Sequence, residues 1–269
     1  MLPLNHQFVL AESPESFSDT AAARLAAIIS AFGKKPCLIS LSGGSTPFPV
    51  YRELARRLGR NGAGSRCWWM QTDERLVPAT DPRSNQRGIK ESLMSGGHLP
   101  QHTFVPVIVS EPPASQNPTA FDHLCQDYHD RLRQLPDPLQ PPAPVDLLIL
   151  GIGADGHTAS LFPDTDWLTR SSLNGFAVFQ TGSQPEPRFS LTLGRILQAR
   201  EIVFLVNGEA KCEILNEIIF NPDCDTPAAH IARKRGVTWI LDRAAAGNRL
   251  ADLIEEREEA LQQLKPGHL

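Results

Sequence analysis

The apolar positions of this chain alternate between short unbroken runs and longer stretches at helical spacing. Val145 to Leu150 is an apolar run, with Asp146 near its start, and reads as a buried strand. Cys37-Leu38-Ile39-Ser40-Leu41 and Cys67-Trp68-Trp69-Met70-Gln71 read the same way. Further strands are expected at 7–10, at Thr103 to Val109, near 176–180 and 201–206, and at 237–241. Between them the period changes. Leu25, Ile28, Ile29 and Phe32 define a helix that starts at Ser13-Pro14 and stops at Gly33. Tyr51, Leu54 and Leu58 define a second, and another runs to about Leu93 after the loop Asp81 to Asn85. Phe121, Leu124, Tyr128, Leu132 and Leu135 share one face of a later helix, and a helix from Glu209 buries Ile214, Leu215, Ile218 and Ile219. An amphipathic tail helix with a Glu-rich face is expected from Leu250 to Leu264.

Alternating strands and helices predict an α/β fold of three layers. A mainly parallel, doubly wound sheet carries helices on both faces, in a Rossmann-like topology. Neither a repeat nor a low-complexity tract breaks the pattern, so one domain over residues 1–269 is expected. Leu135 to Pro144 is rich in proline but leads into a core strand, so it reads as a surface loop rather than a linker.

Composition narrows the class. The chain is 41% hydrophobic and 21% charged, with a formal net charge of -4. That balance argues against nucleic-acid binding through bulk charge, while leaving room for a local anion pocket. Cys37, Cys67, Cys125, Cys212 and Cys224 are scattered and form no C-x-x-C pair, which suits reduced thiols. No apolar run reaches the roughly 18 residues of a membrane span, and Met1 to His6 lacks a signal-peptide pattern. A cytoplasmic location with no membrane partner is the expectation.

Two of the strands open into glycine loops. Gly151, Gly153 and Gly156 match the dinucleotide pattern G-x-G-x-x-G, but three features oppose it. Asp155 would put a carboxylate against a pyrophosphate. Pro163 cuts short any helix starting at the loop. The next strand ends Phe179-Gln180-Thr181 with no acid for a ribose. The other loop, Ser42-Gly43-Gly44-Ser45-Thr46-Pro47, lacks the Lys-Ser/Thr pair of a Walker loop. It reads either as a cradle of backbone N–H groups and hydroxyls for a phosphate monoester, before a helix that Pro47 starts, or as a serine-capped turn.

The candidate chemistry lies at the same strand ends. Asp73-Glu74-Arg75 follows a very apolar strand, where a doubly wound sheet places ligands. Arg75, Arg188 and Lys211 are candidate anion ligands, Arg75 in two-pronged fashion. His157, one of eight histidines, follows Asp155 and Gly156, so a carboxylate stands close enough to orient it. Metal-ligand spacing is missing around it, and there is no nucleophile elbow. Water activated by a general base fits better than a covalent intermediate.

Taken together, Ser42 to Pro47, Thr72-Asp73-Glu74-Arg75, Ser84-Asn85 and Gly151 to Pro163 resemble the 6-phosphogluconolactonase family. So do Arg188 with its Ser-Leu-Thr strand, Gly208 with Lys211, and Pro227-Ala228-Ala229. Glucosamine-6-phosphate deaminase, of the same NagB-like fold, shares the serine–glycine and Asp-Gly-His loops. Its second loop continues toward Ile-Ala-Phe-Asn-Glu-Pro, whereas here Thr158-Ala159-Ser160-Leu161-Phe162-Pro163 follows, without the glutamate. The deaminase also has tyrosine after Asp-Glu where this chain has Arg75. The resemblance implies hydrolysis of 6-phospho-D-glucono-1,5-lactone, without metal or organic cofactor, by a monomer or weak homodimer. It implies His157 as the base and Asp155 as its orienter or a contact to a sugar hydroxyl. By the same carry-over, the phosphate or sugar acid is held by Arg75 and Lys211, helped by Ser42, Gly43, Gly44, Ser45 and Thr46, with Asp73 and Arg188 in the binding set. Alternatives from other classes are an aminosugar-phosphate deaminase, a non-catalytic sugar-phosphate sensor and a nicotinamide oxidoreductase.

Overall fold

The computed structural model describes residues 5–109, 117–170 and 175–263. In chain order, β1 is Gln7–Ala11, α1 Phe17–Ala31, β2 Cys37–Leu41, α2 Pro47–Arg60 and β3 Cys67–Gln71. Then come β4 Asp73–Arg75, α3 Asn85–Ile89, β5 Phe104–Val105, α4 Pro118–Leu132 and β6 Leu147–Leu150. The rest are β7 Phe176–Phe179, β8 Arg188–Leu191, α5 Leu193–Leu197, β9 Glu201–Val206, α6 Cys212–Phe220, α7 Pro227–Lys234, β10 Thr238–Asp242 and α8 Arg243–Gln263. Among the described residues no helix is long and apolar enough to cross a membrane.

Seven strands form a sheet in the order β1-β10-β9-β6-β2-β3-β5, and every pair is parallel. This is the expected doubly wound arrangement, and the physical cause is visible in the strands. Parallel strands are covered on both faces, so successive residues alternate between two cores instead of between core and solvent. In β2, Cys37, Ile39 and Leu41 pack toward α1 and α2, while Leu38 packs on the opposite side. In β6, Leu147 and Ile149 join the first core, and Leu148 and Leu150 join the second with α4 and α8.

The structure corrects the sequence reading in several places. A second, antiparallel sheet has the order β4-β8-β7. The expected strand near 176–180 belongs to it and not to the main sheet, and Asp73 to Arg75 is a strand rather than a loop. Three consecutive charged residues carry no strand pattern of their own. Their extended form is imposed by pairing with β8, remote in sequence. The expected strand Thr103 to Val109 shrinks to β5, because Pro106 has no N–H to donate and the Val107 N–H turns to the Gln71 side chain at 2.7 Å. The first helix starts at Phe17, not at Pro14. Ser13 and Ser16 exchange backbone-to-hydroxyl bonds of 3.0 and 3.2 Å, which hold that stretch as a turn. The tail helix extends earlier than Leu250, across a break at Gly247 with φ 64°. Leu264, the proline-bearing segment 110–116 and residues 1–4 lie outside the described residues. The short helices α5 and α7 were not expected. Each is capped by a threonine, Thr192 or Thr226, accepting from the backbone N–H three residues on.

Candidate active site

The site follows from the strand order. From β2 the chain moves outward to β3 and β5, and from β6 it moves the other way, to β9 and β10. β2 and β6 are neighbours, paired at Ile39–Leu147, Ser40–Leu148 and Leu41–Ile149. Connections leaving their carboxyl ends therefore diverge, and the gap between them is the crevice where open α/β sheets bind ligands. A cavity of about 320 Å³ opens there. The two glycine loops, far apart in sequence, form its two walls.

Ser42, Gly43, Gly44, Ser45, Thr46, Asp73, Arg75, His157, Arg188 and Lys211 all line this cavity. Asp155 stands behind His157 instead of on the wall. Residues that the sequence reading gave no role also line it: Asn85, Phe162, Gln184 and Asn207. Asn85 was quoted in the Ser84-Asn85 motif, but nothing in the motif says that its side chain reaches another loop.

His157 is held on three sides. Its Nδ1 lies 2.6 Å from Asp155 Oδ1, which also accepts from the His157 backbone N–H at 3.1 Å. Burial pushes the Asp155 carboxyl up, but the charge of His157 and its hydrogen bonds outweigh that and hold it below the usual carboxylate range. An ionised Asp155 accepts the Nδ1 proton and leaves the Nε2 lone pair for chemistry. The Phe162 ring lies 4.4 Å from the imidazole, centroid to centroid, at 31°. Gly153 closes the third side. Its N–H donates to the His157 carbonyl at 2.8 Å, and a Cβ there would fall 2.0 Å from Nδ1. Beyond His157 the chain makes a tight turn, with Thr158 and Leu161 bridged and Ala159 at φ 51°, a strained value for a residue with a Cβ. Pro163 led us to expect at most a short helix at this loop, and none begins there.

The opposite wall is built for an anion. Pro47 starts α2 as expected, but Pro47 and Pro49 carry no N–H, so what the helix start brings to the cavity is mainly the positive end of its dipole. The hydroxyls do less than expected. Ser42 Oγ donates to the Ile149 carbonyl at 2.9 Å, and Thr46 Oγ1 donates to Asn207 Oδ1 at 2.6 Å. Both tie the loop to its neighbours, because a chain leaving a buried strand must satisfy its polar groups locally. Arg75 and Arg188 lie directly opposite each other in the β4–β8 ladder. Like charges so placed repel. Burial, and then the charge of Arg75, lower the Arg188 pKa from its ordinary value. Arg188 donates to Gln184 and sits 5.9 Å from the Phe162 ring centroid. Lys211 closes the turn after β9. Arg75, Arg188 and Lys211 enter no ion pair among the described residues. Three cations on one small cavity that also holds the Asp73 carboxylate, none of them in a close ion pair among the described residues, favour an anion such as a phosphate. No cluster of three potential metal ligands occurs among the described residues.

The family model described as glucosamine-6-phosphate isomerases/6-phosphogluconolactonase matches residues 12–240. The chain belongs to this family. A 6-phosphogluconolactonase of Haemophilus influenzae is 35% identical over 219 residues, covering 78% of this chain and 86% of its own. The solved 6-phosphogluconolactonase from Trypanosoma cruzi superposes with a TM-score of 0.74 at 28% identity, over 90% of this chain and 96% of its own. A monomeric glucosamine-6-phosphate deaminase of the NagB superfamily superposes with a TM-score of 0.69 at 21% identity, over 91% and 99%. That last match shows the common fold of the family alone.

Proposed function

We propose that this chain hydrolyses 6-phospho-D-glucono-1,5-lactone to 6-phospho-D-gluconate. The observation that carries the reading is the pairing, across one cavity, of a carboxylate-oriented imidazole with three cations that enter no ion pair among the described residues. His157 Nε2 takes a proton from water as the water oxygen attacks C1 of the lactone. The carbonyl oxygen becomes an oxyanion in a tetrahedral intermediate. As that collapses, the C1–O5 bond breaks and the imidazolium returns its proton to O5. The acid formed then ionises in solution. The phosphate is received by the Ser42–Thr46 loop, the start of α2 and the cations Arg75, Arg188 and Lys211. This arrangement leaves the lactone ring between the phosphate and His157. A lactone of this kind opens unaided, so positioning plus one base suffices.

The test follows loss of the lactone against its spontaneous background, with ammonia release from glucosamine 6-phosphate measured in parallel. Enzyme-dependent lactone loss is expected, and no ammonia. Lactone loss equal to background, or ammonia release, overturns the reading. Lys211→Met should raise KM about tenfold, as the loss of one charged hydrogen bond predicts, and leave kcat nearly unchanged.

A further inference from the structure

Glu74 is a buried carboxylate with no cation attached to it. It is 1% exposed and accepts five hydrogen bonds. Oε1 takes the N–H groups of Arg75 and Asn85, both at 2.7 Å. Oε2 takes Gln71 Nε2 at 2.8 Å, Ser84 Oγ at 3.1 Å and the Gln86 N–H at 2.7 Å. All five partners donate, so the group that fits here is an ionised, acceptor-only carboxylate. Burial still raises the Glu74 carboxyl above its usual value, and the hydrogen bonds from Gln86, Asn85, Gln71 and Arg75 offset part of that cost.

What Glu74 holds is the start of α3, and through it Asn85. The Asn85 side chain is buried and faces two ways. Nδ2 donates to the Asp73 carbonyl at 3.0 Å, and Oδ1 accepts from Arg75 Nη1 at 3.0 Å. The same side chain lies so close to Gly43 that a Cβ there would fall 1.9 Å from Oδ1. Asn85 therefore touches the phosphate-facing loop on one side and the Arg75 guanidinium on the other. Arg75 takes its second anchor from the Arg83 carbonyl at 2.6 Å, on the same loop that Glu74 pins.

We infer that Glu74 and Asn85 are positioning residues that aim Arg75 into the cavity. Glu74 fixes the backbone of 84–86, and Asn85 transmits that fix to the guanidinium. Repulsion from Arg188 opposite would otherwise turn Arg75 toward solvent. The inference rests on the reading of Arg75 as a substrate ligand.

Glu74→Gln keeps the shape but turns an amide N–H₂ toward N–H donors, so one end of the relay is lost. The measurement is steady-state lactone hydrolysis, with kcat referred to folded enzyme. We expect KM to rise about tenfold or more in Glu74→Gln, kcat per folded molecule to hold within about threefold, and Asn85→Ala to repeat that split. In an Arg75→Ala background both substitutions should add almost nothing, since their effect passes through Arg75. If Glu74→Gln does not fold, Asn85→Ala and its pairing with Arg75→Ala decide alone. An unchanged KM in Asn85→Ala, or effects that add fully to Arg75→Ala, would overturn the inference while wild-type turnover stands. Wild-type turnover equal to background would instead remove the reading beneath it.

Discussion

The loops Ser42–Pro47 and Gly151–Pro163 leave neighbouring parallel strands, are both rich in glycine and small residues, and face one cavity. They are built to opposite ends. The first passes into the long helix α2, and its hydroxyls at Ser42 and Thr46 are spent on Ile149 and Asn207. What it offers is a fixed set of backbone N–H groups and no titratable side chain. The second passes into no helix. It folds back through a bridged turn and offers a titratable pair, Asp155 and His157. The lesson is that glycine serves close approach in both loops, but of different things: Gly43 admits Asn85, and Gly153 admits the imidazole.

The comparison can be broken at its reactive end with the largest effect. His157→Ala should lower kcat by about 10²–10⁴-fold, the span of one general base, in a protein that still folds. A variant that keeps wild-type kcat would deny the second loop its role. Gly153→Ala comes next. Its methyl cannot share space with Nδ1, so His157 must move, and a displacement near 1 Å costs about 10²-fold in kcat/KM. Full activity in this variant would show that the ring position does not matter. Gly43→Ala should act differently. By displacing Asn85 it should raise KM about tenfold and spare kcat, and a fall in kcat alone would erase the contrast between the loops.

The smallest effect concerns acid. The Asp155 carboxyl is held below its ordinary value, so its ionised form adds stability above the usual carboxylate range, and this is lost as pH falls through the depressed value. Asp155 is half-exposed, which keeps the contribution small. The melting-temperature gap between wild type and Asp155→Asn should be present at neutral pH and close on acidification. A gap that widens in acid would mean that folding raises the Asp155 carboxyl above its ordinary value instead of lowering it.

Much of this was legible in the chain because the signals are local. The unbroken apolar stretch Leu147 to Leu150 states that a strand is buried on both faces, and the alternation with helices states that the sheet is parallel. The start of α2 at Pro47 follows from proline stereochemistry, whereas Pro163 only limited how far a helix from Gly151–Gly156 could run; that none forms there is seen only in the fold. The closeness of Asp155 and His157 follows from their spacing in one tight loop.

The remainder depended on partners remote in sequence. Asp73 to Arg75 is a strand only because β8 is there to pair with it. Its register sets Arg75 against Arg188, which neither segment encodes by itself. Asn85 and Glu74 became site-building residues only when α3 was folded against the Ser42–Thr46 loop. The sequence by itself determined the fold class, the two glycine loops and the acid–base pair, since periodicity, proline and short spacing act within a few residues. The tertiary structure alone decided which cations share a wall, which hydroxyls remain free and what aims Arg75, since those depend on contacts between segments that the chain order keeps apart.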